Sequence, residues 1–184
     1  MNMNKVLILG CGPSLSLINE TNLPNDLTLV GVNDCAKCGI TPDYLLVVDN
    51  DFSNERRKVI DSCKDKSILL SHIPECFDFK TKVKLELGDF ATLNNIDNGS
   101  RIDYSRTSTY MAIIWCYKYL KATNIGIIGL DFTNNYSVDL EMSRNHYGNL
   151  CKALEERNAK LYNLSNISLI DTIPFMDFKQ WLSI

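Results

Sequence analysis

Three tetrapeptides in this chain, Val6-Leu7-Ile8-Leu9, Leu45-Leu46-Val47-Val48 and Ile125-Gly126-Ile127-Ile128, are apolar without a break. A strand with one wet face alternates apolar and polar residues, so an unbroken run marks a strand covered on both sides. Such strands belong to parallel sheets, whose crossovers lay helices on each face. The expected fold is α/β: a Rossmann-like, mostly parallel sheet with helices on both faces. Runs of the same kind place strands near Lys5–Gly10, Leu27–Asn33, Tyr44–Asp49, Ser67–His72, Lys82–Leu87, Asn124–Gly129 and Lys160–Leu164. Phe52–Cys63, Thr107–Leu120 and Asn145–Arg157 read as helices, with Ser53 to Glu55 and Ser143 as starts and Leu150 and Leu154 four residues apart on one face. Phe175, Phe178 and Trp181 recur every three residues in Ile173–Ile184, which reads as a closing helix. Gly88–Ser105, dense in Asn, Asp and Gly, reads as a long loop.

At 184 residues the chain suits a single domain, with a short lid segment at about 133–148. Its 45% hydrophobic and 22% charged residues exclude a disordered, collagen-like or coiled-coil chain. Nineteen Lys and Arg against 22 Asp and Glu leave no basic excess for a phosphate backbone, so no nucleic-acid partner is expected. No apolar run approaches the roughly 18–20 residues of a transmembrane segment, and the opening residues lack the pattern of a signal peptide. The expectation is a cytoplasmic protein, or one peripheral at the inner membrane face, that can form a homo-oligomer. Seven cysteines, an odd number, read as reduced thiols.

The first strand runs into Gly10-Cys11-Gly12-Pro13-Ser14-Leu15, a glycine-rich turn opening a helix. Glycines there allow close approach of backbone to a ligand, and a helix N-terminus attracts phosphate. The full dinucleotide pattern fails at Leu15, and a tight strand-to-helix turn without a ligand has the same appearance. Ligands of parallel sheets collect at the carboxyl ends of strands, which singles out Asn33, Asp49, Asn50 and Asp131. Asn33 can both donate and accept. Asp49 and Asp131 suit a metal cage, hydroxyl recognition, or merely capping of loop N–H groups. Arg106 with Thr107 and Ser108 opens the most apolar helix and suits an anion, or else a surface ion pair. Tyr136 can donate its phenol to a leaving phosphate. His146 lies in a polar run before a helix, where a general base or an ordinary surface histidine fits equally well. Cys35, Cys38, His72 and Cys76 make a nominal zinc set whose spacing is a poor signal.

The run Lys5–Leu15, then Leu23-Pro24-Asn25-Asp26 and Asn33, resembles the bacterial sialyltransferases of glycosyltransferase family 42. Arg106–Met111, Gly129-Leu130-Asp131-Phe132, His146, Lys152–Glu155 and Lys160–Tyr162 follow in that family's order. The resemblance implies a nucleotide-sugar donor and a glycan acceptor: inverting transfer of a CMP-activated acidic sugar, with no metal or other cofactor. It implies that Gly10, Gly12 and Ser14 line the nucleotide phosphate and ribose and that Asn33 touches the nucleotide; Cys11 and Pro13 of the same turn are counted with these as binding candidates. It implies donor contacts at Arg106 and Ser108, stabilisation of the departing phosphate by Tyr136, and a general base at His146; Thr107, Asp131 and Thr133 are counted beside these as binding candidates. Cys11 stands where that family has asparagine, Thr133 where it has a second phosphate-binding tyrosine, and the chain is some tens of residues shorter. Gly12-Pro13-Ser14-Leu15 with Thr41-Pro42-Asp43-Tyr44 and Val48-Asp49 is also similar to the family of 6-hydroxymethylpterin diphosphokinases and motility-associated glycosyltransferases. That second resemblance implies ATP, with magnesium on Asp49 and Asp131. A catalytically silent nucleotide-binding module is the third reading.

Overall fold

A computed structural model describes residues 4–19, 23–49, 52–133 and 140–184. Seven strands form one wholly parallel sheet: β1 (Lys5–Leu9), β2 (Thr28–Val32), β3 (Tyr44–Leu46), β4 (Ile68–Ser71), β5 (Thr81–Lys84), β8 (Asn124–Ile128) and β9 (Lys160–Asn163). Their spatial order is β5-β4-β3-β2-β1-β8-β9. Two more, β6 (Glu86–Phe90) and β7 (Arg101–Tyr104), pair parallel in a separate small sheet. The order reverses between β1 and β8, and such a switch point opens a crevice at the carboxyl ends of the strands.

The apolar runs do what continuous hydrophobicity requires. Val6 and Ile8 of β1 pack on one side with Val30, Ile125, Ile127 and the helices α2 (Ser108–Leu120) and α3 (Leu140–Glu155). Leu7 and Leu9 pack on the other with Leu45, Leu15, Ile60 of α1 (Asn54–Asp61) and Trp181 of α4 (Phe178–Ser183). Each such side chain withdrawn from water contributes about 1.5–3 kcal/mol before the ordering cost is subtracted. Gly126 keeps β8 bare where Trp181 lies, since a Cβ there would sit 2.7 Å from the indole. The Trp181 indole N–H donates to Asn124 Oδ1 at 2.7 Å, and Lys5 Nζ donates to the last carbonyls of α4. Of the closing helix expected over Ile173–Ile184 only Phe178–Ser183 forms, and Phe175 lies before it, exposed, in a β-bridge with Asn163.

Several expectations are corrected. Lys82–Leu87 is two strands of different sheets, β5 and β6. Gly88–Ser105 is not a plain loop, because it holds the end of β6 and all of β7. The organiser is Asp103, fully buried, whose carboxylate accepts from the backbone N–H groups of Asp89 and Asn95, both at 2.9 Å, and from the Asn95 amide. Burial pushes the Asp103 carboxyl up, but these donors outweigh it and hold it below the usual range. The glycine-rich turn opens a five-residue 3-10 helix, Pro13–Leu17, rather than an α-helix, with Pro13 at its first position. Helix α3 extends N-terminally to Leu140, so Ser143 and His146 lie inside it rather than before it. Residues 140–148 of the expected lid are the first turns of α3, and residues 134–139 lie outside the described residues. All seven cysteines are free thiols. Among the described residues no helix is long and apolar enough to cross a membrane.

Candidate functional site

A cavity of about 1050 Å³ opens at the switch point, at the large end of the roughly 300–1,000 Å³ of small-molecule sites. The ends of β1, β2, β3 and β8 supply its floor, and Arg106 to Thr109 one wall. Of the residues singled out from sequence, Cys11, Gly12, Pro13, Asn33, Asp49, Arg106, Thr107, Ser108, Asp131 and Thr133 line it. Gly10, Ser14 and His146 do not, and Asn50 and Tyr136 lie outside the described residues.

Gly10 and Ser14 act from beneath. A Cβ on Gly10 would lie 2.4 Å from the carbonyl oxygen of Gly129, and one on Gly12 2.5 Å from Asp131 Oδ2. The glycines therefore let β1's exit lie against β8's exit, which is the work of a tight turn, while Gly12 also lines the cavity. Gly129 itself has φ 84°, a left-handed conformation that favours glycine. Ser14 ties the two exits together: its N–H and hydroxyl donate to Asp131 at 2.6 and 2.7 Å, and its oxygen accepts from the Gly129 N–H at 2.9 Å. Asp131, 1% exposed, is thus a strut for the turn.

Asn33 and Phe132, at the exits of β2 and β8, both have left-handed backbone, with φ of 50° and 56°. Conformations of that kind in non-glycine residues cluster at binding sites. Asn33 Nδ2 donates to Asp49 at 2.8 Å, while Oδ1, on a residue only 9% exposed, has no partner. An unpaired buried acceptor costs on the order of 1–3 kcal/mol, and a ligand donor in the cavity would remove that cost.

Two cations that the sequence reading missed, Lys37 and Arg56, also line the cavity. Arg56 holds Asp34 at 2.8 Å, and Lys37 Nζ donates to the Cys11 carbonyl at 2.8 Å. Burial pushes the Asp34 carboxyl up, but Arg56 and Lys37 prevail and hold it below the usual range. Cys11 donates its thiol to the Val32 carbonyl at 3.1 Å; burial, then the nearby Asp34 charge, push it up to about 12. Arg56 lies in the first turn of α1, the helix that follows β3. Arg106 is exposed and pairs with no carboxylate among the described residues. It precedes the N-terminus of α2, whose cap residue Thr107 makes no side-chain cap and instead meets the Tyr147 hydroxyl at 2.6 Å.

His146 stands beyond that wall. Its Nδ1 lies 3.0 Å from the Ser105 hydroxyl, and Nε2 has no partner among the described residues. Burial, then the Arg106 charge, hold its pKa below the usual value, so the imidazole is neutral near pH 7. In the tautomer that donates Nδ1–H to the Ser105 hydroxyl, Nε2 presents a lone pair fit to accept a proton.

Among the described residues no three His, Cys, Asp or Glu side chains come together to hold an ion, and the nominal set of Cys35, Cys38, His72 and Cys76 is not assembled. Both Asp131 oxygens are engaged by Ser14, and Asp49 Oδ2 by Asn33.

A scan against protein-family models finds no match, and a search of curated proteins finds none either. Solved structures do match. Sialyltransferase CstII from Campylobacter jejuni, in complex with cytidine-5'-monophosphate, is 18% identical, covering 95% of this chain and 86% of that one with a TM-score of 0.56. The monofunctional α-2,3-sialyltransferase Cst-I of the same organism is 14% identical, covering 95% and 80%, also at 0.56. CST-II in complex with a trisaccharide acceptor and CMP is 18% identical, covering 93% and 85%, at 0.54. At such identities the likeness establishes a shared Rossmann-like fold.

Proposed function

We propose that this chain is a glycosyltransferase that moves an acidic sugar from its CMP ester to a glycan hydroxyl, inverting the anomeric carbon without a metal ion. The observation that carries the reading is the switch-point cavity. It combines a buried, unpartnered amide oxygen on Asn33 with three cations, Lys37, Arg56 and Arg106, on a fold shared with sialyltransferases solved with CMP.

In this reading the nucleotide occupies the crevice between the exits of β1, β2 and β8, and Asn33 Oδ1 accepts from one of its donors. Arg106 and the uncapped start of α2, with Ser108, hold the donor's negative charge. The acceptor oxygen attacks the anomeric carbon, the bond from that carbon to the phosphate oxygen breaks, and CMP departs with the electron pair. His146 Nε2 takes the proton from the attacking hydroxyl. Tyr136 and Thr133 are assigned to the departing phosphate.

CMP release from CMP-N-acetylneuraminic acid, with an oligosaccharide acceptor and excess EDTA, tests this. Turnover that persists in EDTA and falls at least a hundredfold in His146→Ala supports it. Full activity in that variant removes His146 as base, and EDTA-sensitive consumption of ATP in place of any CMP-sugar turnover transfers the reading to the diphosphokinase class. Tight CMP binding with no turnover of any donor points to the silent module.

A further inference from the structure

Phe90, at the end of β6, is 44% exposed although it is a large aromatic ring. It meets His146 edge to face, with ring centroids 5.7 Å apart and planes at 84°, and it meets Tyr104 of β7 in the same manner at 5.6 Å. Tyr110 closes the group, its ring centroid 6.4 Å from that of His146. None of Phe90, Tyr104 and His146 lines the nucleotide cavity, so this aromatic group stands outside it, beyond the Ser105–Arg106 wall.

The ring is held in place. The Ala91 N–H donates to the Tyr104 carbonyl at 2.6 Å, and Ala91 adopts φ 51°, a left-handed turn uncommon outside glycine. On the other side, the Asp89 N–H is fixed by the buried Asp103 carboxylate. Phe90 is therefore clamped between two anchored neighbours, its ring on solvent beside an imidazole.

We infer that Phe90, backed by Tyr104, is the platform on which the acceptor's pyranose ring stacks while its hydroxyl reaches His146. The inference deepens the proposed transferase and rests on it. Its logic is one of reach. A hydroxyl that gives its proton to Nε2 lies roughly 2.6–3.2 Å from that nitrogen. The ring carrying the hydroxyl then begins one bond further out, and the Phe90 ring, its centroid 5.7 Å from that of the imidazole, is the exposed aromatic group beside it. Pyranoses present a patch of C–H groups on one face, which suits the electron-rich face of an aromatic ring, while their hydroxyls remain in water. The small sheet, which the sequence pattern reads as a loop, thus sets an aromatic plane against the base.

The test is saturation-transfer NMR with lactose, N-acetyllactosamine, maltose and sialyllactose on CMP-saturated protein, comparing wild type, Phe90→Ala and Phe90→Trp. Wild type is expected to bind at least one of these through C–H protons of its terminal ring. Phe90→Ala should weaken that sugar about tenfold, with Phe90→Trp restoring it and the affinity for CMP moving less than twofold in either. Equal sugar binding by wild type and Phe90→Ala, or no binding of any of the four by wild type, overturns the platform. Turnover of CMP-N-acetylneuraminic acid by the wild-type protein is decided separately, so loss of the platform and loss of the transferase reading are distinguishable.

Discussion

Ser14 and Asp131, 117 residues apart in sequence, are joined by two hydrogen bonds, from the Ser14 N–H at 2.6 Å and from its hydroxyl at 2.7 Å. The pair fixes the exit of β1 against the exit of β8, and the cavity lies over that joint. Ser14→Ala removes one donor to Asp131 and the acceptor for the Gly129 N–H in a dry site, so it should destabilise the fold by about 1–3 kcal/mol. Urea unfolding of the two proteins checks this, and a midpoint unchanged within error contradicts the strut.

Gly10→Ala should cost more than Gly39→Ala. At Gly10 the added methyl meets backbone, 2.4 Å from the Gly129 oxygen, and neither strand can withdraw without opening the sheet. At Gly39 it meets open space, leaving only the strain of φ 87°. We expect about 3 kcal/mol for the first, the upper end for overpacking, and about 1–2 for the second. Thermal unfolding ranks them, and the opposite order rejects a packing role for Gly10.

Activity should fall as pH drops through the pKa of His146, at a midpoint below the ordinary 6.5. Burial and the Arg106 charge both disfavour the imidazolium, so Arg106→Gln removes one of them and should move the acid limb to higher pH, alongside any loss of rate. The stability effect has a matching sign. Because the folded pKa lies below the unfolded one, the contribution of this group is intact above about pH 6.5 and is lost as pH falls through the folded pKa. A pH–rate profile for both proteins checks it; an acid limb unmoved in the variant contradicts the coupling.

Cys11 lies on the cavity wall yet should resist alkylation. Its thiol is pushed up to about 12, so almost none is thiolate at pH 8, the form that reacts. The exposed Cys76 should take iodoacetamide first. Mass mapping of the labelled protein decides, and early labelling of Cys11 contradicts the environment described.

The main sheet was legible because burial on both faces writes itself as unbroken apolar runs, which is why β1, β3 and β8 stand out. Strand β7 was not legible. Arg101, Asp103 and Tyr104 look like turn chemistry, and only the folded chain brings Asp89 and Asn95 to the Asp103 carboxylate. The start of α3 was missed because Ser143, Arg144 and Asn145 read as loop, whereas Tyr147, Leu150 and Leu154 bury the face that holds the helix down. At the site, strand-end logic found Asn33 and Asp131 but could not tell a ligand contact from a strut: that difference depends on Ser14, distant in sequence. Lys37 and Arg56 escaped because each sits on a short element whose facing toward the crevice is a tertiary property.

In the proposed function the switch-point cavity seats a cytidine monophosphate. Calorimetric titration of CMP into the protein in EDTA tests it most directly, with Asn33→Ala beside it. The account predicts saturable 1:1 binding in the wild type that needs no metal and weakens about tenfold in the variant, in step with one lost buried hydrogen bond. No heat with CMP, or equal binding by Asn33→Ala, would contradict it.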